Sequence, residues 1–444
     1  SISISESSEL LENDSTSEIP DKLLYEGDNS HITWKASDLH ETLFPHSLST
    51  VCTAWRELMS KIPIFWTRLV IFVGGQHETL LSDVRLYLEW SQEFYITVHV
   101  TRSLFEVPEQ LYVHDAHEYA HSRGLIDILA PHFHRMKALS FSLHQSSSLP
   151  RLFDDLQGPA LHLESLILEC KYDDGRNEDE LTPEDLPPIL LPRLRQLSID
   201  GRSLLRIYDT ASWLFDISSK EMIGLEISRF TPSHDGRSID LHDFLGSISG
   251  AELDIVRIRD VSFTWRHYPI ERIPLFCYWH FSDVYFEDLG PGVIGEFIRA
   301  IGSLILRHVH ITRCPLAASA KALPAGELVI EDIGDPAGLV AFIRNWRGEV
   351  LTLTKCPTGV VDAVLGVMAI IQGDPINPDL FFVPCVRDLC LRDCEDFEFW
   401  KLRELYDLRT NLGPSTLRIR MDGRSPVLSV EDAEWVDQNA TLFL

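Results

Sequence analysis

The chain has 444 residues, 45% of them apolar, and a formal net charge of −28. That length allows a large buried core or an array that grows by repetition, and the excess of carboxylates argues against nucleic acid or an anionic membrane as a general partner. Eight cysteines are spread along the chain with no C-x-x-C pair, which fits free thiols in a reducing compartment better than a disulfide framework.

Residues 1–18 are rich in Ser and Glu and poor in large apolar side chains, the composition of a disordered acidic tail rather than of a secretory leader. The longest apolar run, Val360 to Ile371, contains Asp362 and is too short to span a bilayer. A cytoplasmic or nuclear location is expected. From Leu48 the residues Val51, Cys52, Trp55, Leu58, Met59 and Ile62 recur at steps of three and four, the stripe of an amphipathic helix. Pro63 ends it, because the residue before a proline is driven out of the helical conformation. Phe65 and Trp66 follow and feed a β-rich run, Thr67 to Val73. Trp55 and Trp66 are expected to be exposed, as aromatic anchors of a partner site. A second helix is expected over Thr79 to Ser91, then a strand over Tyr95 to Val100.

Beyond that point the pattern apolar-x-x-apolar-x-apolar recurs. It stands at Met136/Leu139/Phe141, Leu163/Leu166/Leu168, Leu194/Leu197/Ile199, Met222/Leu225/Ile227, Leu253/Val256/Ile258, Phe281/Val284/Phe286 and Ile301/Leu304/Leu306. It continues at Leu328/Ile330, Leu351/Leu353, Val386/Leu389/Leu391 and Leu417/Ile419. The spacing, roughly 20 to 38 residues, lies mostly within or near that of leucine-rich repeats. A short strand turns alternate residues inward and the chain returns as a helix or loop, so each unit buries its face only against its neighbours. Return helices are expected at 124–133, 239–247, 292–300, 337–346, 360–371 and 398–412. Cys356 and Cys394 stand just past the strand core, where a small buried residue suits the turn. The insert 172–188, with Asp173-Asp174 and three prolines, reads as an exposed, solvated acidic loop.

One stretch carries a chemical motif. His117-Glu118-Tyr119-Ala120-His121 is H-E-x-x-H, extended by Gly124 and Asp127. Two histidines at i and i+4 of a helix can bind zinc, with the glutamate as general base and Asp127 as the third ligand, as in zinc metalloproteases. Against this stand the histidine-rich surroundings and the lack of a suitably placed methionine turn. No P-loop, dinucleotide fingerprint or nucleophile elbow is present, so no cofactor is expected.

The segment Val51-Cys52-x-x-Trp55-Arg56-x-Leu58-Met59, followed by Pro63-x-Phe65-Trp66-x-x-Leu69, resembles the C-terminal half of an F-box. Ile19-Pro20-Asp21-Lys22-Leu23-Leu24 resembles the opening of that motif, although Gly27 to Ser30 interrupts the helix between the two halves. The resemblance is to the large fungal families that join an F-box to divergent leucine-rich repeats, and Leu125 to Leu143 fits the same families ahead of their first full repeat. It implies an F-box-like helical segment over 19–73 and a leucine-rich-repeat solenoid, an α/β fold of parallel strands with return helices and loops, over 74–444. It further implies a non-catalytic substrate receptor of an SCF-type cullin–RING ubiquitin ligase. The Skp-type adaptor would be held by Leu48, Val51, Cys52, Trp55, Leu58, Ile62, Phe65 and Trp66 with Pro20, Leu23 and Leu24, and a target protein by the repeats. The alternatives are a repeat scaffold whose F-box has decayed and, more distantly, the zinc hydrolase at His117, Glu118 and His121.

Overall fold

The computed structural model describes residues 51–75, 78–102, 116–174, 189–210, 222–232, 237–249, 251–265, 281–302, 304–317, 321–370, 385–412, 417–424, 426–439 and 441–443. The expected acidic tail, Pro20, Leu23, Leu24, Leu48 and residues 175–188 of the acidic insert lie outside them. The chain divides into two units, 1–59 and 60–444. In the first, the described residues form the helix α1 (Thr53–Ser60), whose last residue enters the second unit.

The second unit is α/β, built on one large parallel sheet. Its strands are β1 (Arg68–Val73), β2 (Ile96–Arg102), β3 (Met136–Gln145), β4 (Ser165–Tyr172), β5 (Gln196–Asp200), β6 (Gly224–Phe230), β8 (Ile255–Val261), β10 (Asp283–Glu287), β11 (Leu306–Thr312), β12 (Ala325–Glu331), β13 (Val350–Thr354), β14 (Asp388–Arg392), β15 (Arg418–Asp422) and β16 (Thr441–Phe443). They lie side by side in chain order, while the two-residue strands β7 (Ile239–Asp240) and β9 (Phe263–Thr264) pair apart from the sheet. Helices return the chain: α2 (Leu81–Trp90), α3 (Ala116–Leu129), α4 (Gly201–Thr210), α5 (Leu241–Ile248), α6 (Val293–Ile301), α7 (Pro336–Ile343), α8 (Thr358–Met368), α9 (Phe399–Leu412) and α10 (Val430–Asn439). Most of the return helices expected from the sequence are present with ends shifted by a few residues, but the one expected at 124–133 begins already at Ala116 and ends at Leu129; α4 and α10 are additional. Among the described residues no helix is long and apolar enough to cross a membrane.

The repeating pattern sets the register. Leu139, Leu166, Leu197, Leu225, Val256 and Val284 stand opposite one another from β3 to β10. The row continues through Val309, Leu328, Leu351, Leu389 and Ile419. A second row runs two residues later, from Phe141 and Leu168 to Leu391 and Met421. None of these named side chains is more than 2% exposed, and each contributes roughly 1.5–3 kcal/mol of burial.

Two expectations are corrected. The core of β11 is Leu306/Val309/Ile311, not Ile301/Leu304/Leu306, because Ile301 ends α6 and belongs to that helix's buried face. The run after Trp66 does not close a separate helical segment. As β1 it is the edge strand of the sheet, Leu69 standing opposite Val98 of β2.

The strand ends share a turn. Asp260, Asp288, Arg313, Asp332, Lys355 and Asp393 all have φ between 49° and 54°, a left-handed conformation that costs non-glycine residues energy. Hydrogen bonds offset that cost. The N–H of Asp288, Arg313, Asp332, Lys355 and Asp393 donates to the last strand residue of the next unit, at 2.9–3.1 Å. Gly423 takes the same position after β15 with φ 69°, and there a Cβ would come within 2.3 Å of the Asp393 carboxylate.

Candidate interaction surfaces

In α1 one residue of the apolar stripe is buried: Met59, at 2% exposure. Val51, Trp55 and Leu58 are 63%, 43% and 51% exposed, and Cys52 is exposed with them. Trp55 and Leu58 are i and i+3 within the helix, so their side chains share one face, and Val51 and Cys52 stand exposed just before its first turn. An apolar face containing a tryptophan and left in water is the kind of surface that binds a partner helix.

Trp66 departs from expectation. It is 1% exposed, stacked at 4.8 Å and 20° on Tyr87 and tilted at 4.6 Å against Trp90, both of α2. Pro63–Trp66 forms a 3-10 turn that aims the indole inward, so Trp66 anchors the first return helix and is not an exposed partner contact. Ile62 and Phe65 are half-buried, and the exposed residue of that turn is Ile64, 58% accessible.

The H-E-x-x-H stretch lies on α3 as expected, but its side chains are engaged elsewhere. Glu118 is fully buried. Its carboxylate pairs with Arg102 Nη1 at 3.0 Å and accepts the backbone N–H groups of His144 and Gln145 at 3.3 and 3.1 Å. It ties α3 to the ends of β2 and β3 and is not free to act on water. His117 Nε2 and His121 Nδ1 both meet the Glu78 carboxylate, at 2.7 and 2.8 Å. Burial lowers the pKa of the His121 imidazole, opposed by the charge of Glu78. The helix runs through Gly124 to Leu129, so Asp127 lies about 9 Å further along the axis than His121 at 1.5 Å per residue and is exposed. A third ligand would require the helix to break at Gly124. Among the described residues no three His, Cys, Asp or Glu side chains are placed to hold a metal ion.

Cys314, Cys356 and Cys394 occupy the same place one residue past the left-handed turn and are buried. Their thiols donate to strand carbonyls, Cys394 Sγ to Leu353 O at 3.5 Å for example. Burial pushes the thiols of Cys314 and Cys356 up to about 11 and about 12. Cys52 is therefore expected to alkylate within minutes in the native protein, and the three turn cysteines only after denaturation; mass spectrometry of iodoacetamide-treated protein checks this. Asp173 and Asp174 correct the picture of a wholly solvated insert. Asp173 is 4% exposed and holds Arg202 at 2.9 Å, and Asp174 accepts the Ser146 and Ser147 hydroxyls at 2.7 and 2.5 Å.

The face of the sheet turned away from the helices carries a cluster that the sequence did not single out. Phe286 packs edge-on against Phe297 of α6 at 4.9 Å, so its neighbour Tyr285 points to the opposite face. Glu226, Arg257, Tyr285 and His310 are register partners across β6, β8, β10 and β11. The Arg257 guanidinium lies 4.7 Å over the Tyr285 ring. The rings of His308 and His310 lie 5.5 and 5.8 Å from that ring. His308 Nδ1 faces Glu327 at 3.4 Å and His310 Nε2 faces Glu331 at 3.1 Å. Burial, reinforced by Glu169, raises the Glu226 carboxyl above its ordinary range. The signal was available. Arg257, Tyr285 and His310 each stand between the two apolar residues of a repeat, and the misplaced register at β11 hid the third of them. Compared with protein-family models and with curated proteins, the chain matches none.

Proposed function

We propose that the chain is a substrate receptor of an SCF-type cullin–RING ubiquitin ligase, with an F-box-like segment joined to a divergent leucine-rich-repeat solenoid. A Skp-type adaptor is bound through Val51, Cys52, Trp55 and Leu58, together with residues before Val51, and a target protein is bound on the sheet. The receptor performs no bond chemistry; it raises the concentration of the target near the conjugating enzyme. What supports the reading most is the face of α1, where the residues carrying the resemblance are in water while Met59 is buried. The array behind it, with strands in chain order, is the architecture that the resemblance implies.

The test is co-purification of the adaptor with the full chain. Trp55→Ala combined with Leu58→Ala is expected to reduce it at least tenfold, since buried aromatic anchors each contribute about 2 kcal/mol or more to an interface. The melting temperature should change little, because both side chains are exposed. Trp66→Ala is unsuitable here, since it would injure the fold. Full adaptor binding by the double variant sinks the assignment. Absence of adaptor binding by the unmodified chain favours the second reading, a repeat scaffold uncoupled from ubiquitin transfer, to which the Gly27 to Ser30 interruption points.

A further inference from the structure

We propose that Arg257, Tyr285, His308 and His310 form a receptor for a single carboxylate side chain on an extended segment of a partner protein. The proposal deepens the target-binding half of the reading above and rests on it.

The group with donors to spare is Arg257. It is half-buried, its guanidinium rests on the Tyr285 ring and its charge acts on the Glu226 carboxylate of the adjoining strand, but among the described residues it makes no close ion pair and no hydrogen bond. Other arginines of the same sheet are engaged. Arg259 faces Glu226 at 3.6 Å, Arg392 faces Asp422 at 3.4 Å, and Arg307 pairs with Asp283. In a chain with 67 acidic and 39 basic residues, an arginine held in place by an aromatic ring and making no close ion pair has its donors open for a carboxylate. A guanidinium presents a planar fork that matches a carboxylate at two points, and stacking on tyrosine fixes its direction before any ligand arrives.

The surroundings define the rest of the ligand. Each histidine has one ring nitrogen directed at a glutamate. His308 Nε2 and His310 Nδ1 are left to meet the peptide groups of an extended chain crossing the strands. Glu226, Glu287, Glu327 and Glu331 stand on the same face, so a second acid in the segment would be repelled. Residues flanking the carboxylate should therefore be neutral or basic. A single cation with open donors, set among acids, also favours a monoanionic carboxylate over a dianionic phosphate.

The experiment is selection of a random twelve-residue peptide library, displayed on phage, on the full chain. The expected result is enrichment of peptides with one Asp or Glu among neutral or basic residues. Their synthetic forms should bind about 10- to 100-fold more weakly when that acid is changed to its amide. Arg257→Gln in the chain should cause a similar loss, and the two losses together should fall well short of their product, as for partners in one contact. Arg257→Lys, which keeps the charge without the fork, should lie between, and an unchanged melting temperature shows that each variant is folded. The proposal is overturned by no enrichment over bare support or by enriched peptides that lack a carboxylate. Equal binding to Arg257→Gln, or tighter binding when phosphoserine replaces the acid, overturns it as well. Adaptor co-purification by Arg257→Gln separates the two claims. If it is retained while peptide binding is unaffected, the receptor reading survives without this site. If the unmodified chain binds the peptides but no adaptor, the site survives without the receptor.

Discussion

Replacing Trp66 with alanine is expected to destabilise the N-terminal end of the sheet by about 3–5 kcal/mol, the usual cost of truncating a buried tryptophan. The indole is 1% exposed between Tyr87 and Trp90. It joins the turn before β1 to the first return helix. The loss should stay local. In an array each unit contacts chiefly its neighbours, and β1 is the edge strand, so β1 and α2 can open while β3 to β15 remain paired. Hydrogen exchange is the measurement. Peptides covering 68–73 and 81–90 should exchange at least about a hundredfold faster, and peptides covering 306–312 and 350–354 should be unchanged. Trp55→Ala, at an exposed site, should alter neither set. Uniform destabilisation, or none, would show that Trp66 does not act as a local clasp.

Glu118→Ala is expected to be about as damaging, at roughly 3–5 kcal/mol, because it removes one charged acceptor from a largely buried Arg102 and the acceptor of two backbone N–H groups. Glu118→Gln keeps an acceptor but removes the charge and should lie in between. His117→Ala should have a small effect, since that ring is 64% exposed. Denaturant titration of the three variants gives the order. A zinc hydrolase would behave oppositely, with Glu118→Gln folding normally and losing only turnover, and His117→Ala losing metal. Wild-type stability of Glu118→Ala would contradict the structural role assigned here.

The contrast between Trp55 and Trp66 shows how far pattern reading goes. Both lie in one apolar stretch, and neither apolarity nor spacing shows which of them is buried. The outcome depends on Tyr87 and Trp90, some 20 residues on, which cover one indole and not the other. Glu118 teaches the same lesson. Its motif is complete in the sequence, yet the arrival of Arg102 and the end of β3 turns the would-be base into an internal strut. The cysteines went the other way. Their place after L-x-L already fits a small turn residue, and Cys356 and Cys394 are buried there.

The order of the strands, most of the return helices and, outside β11, the two apolar rows of the sheet are legible in the residues alone. These follow from periodicity, since a residue every second position in a strand, repeated unit after unit, has a single face on which to be buried. The tertiary structure alone decided which residues between those rows find partners. Arg257 is left without a close ion pair, Asp173 receives Arg202, and Trp66 is closed off while Trp55 is not. Each of these depends on side chains brought together from distant units, and no local pattern specifies how charge and aromatic rings are matched across them.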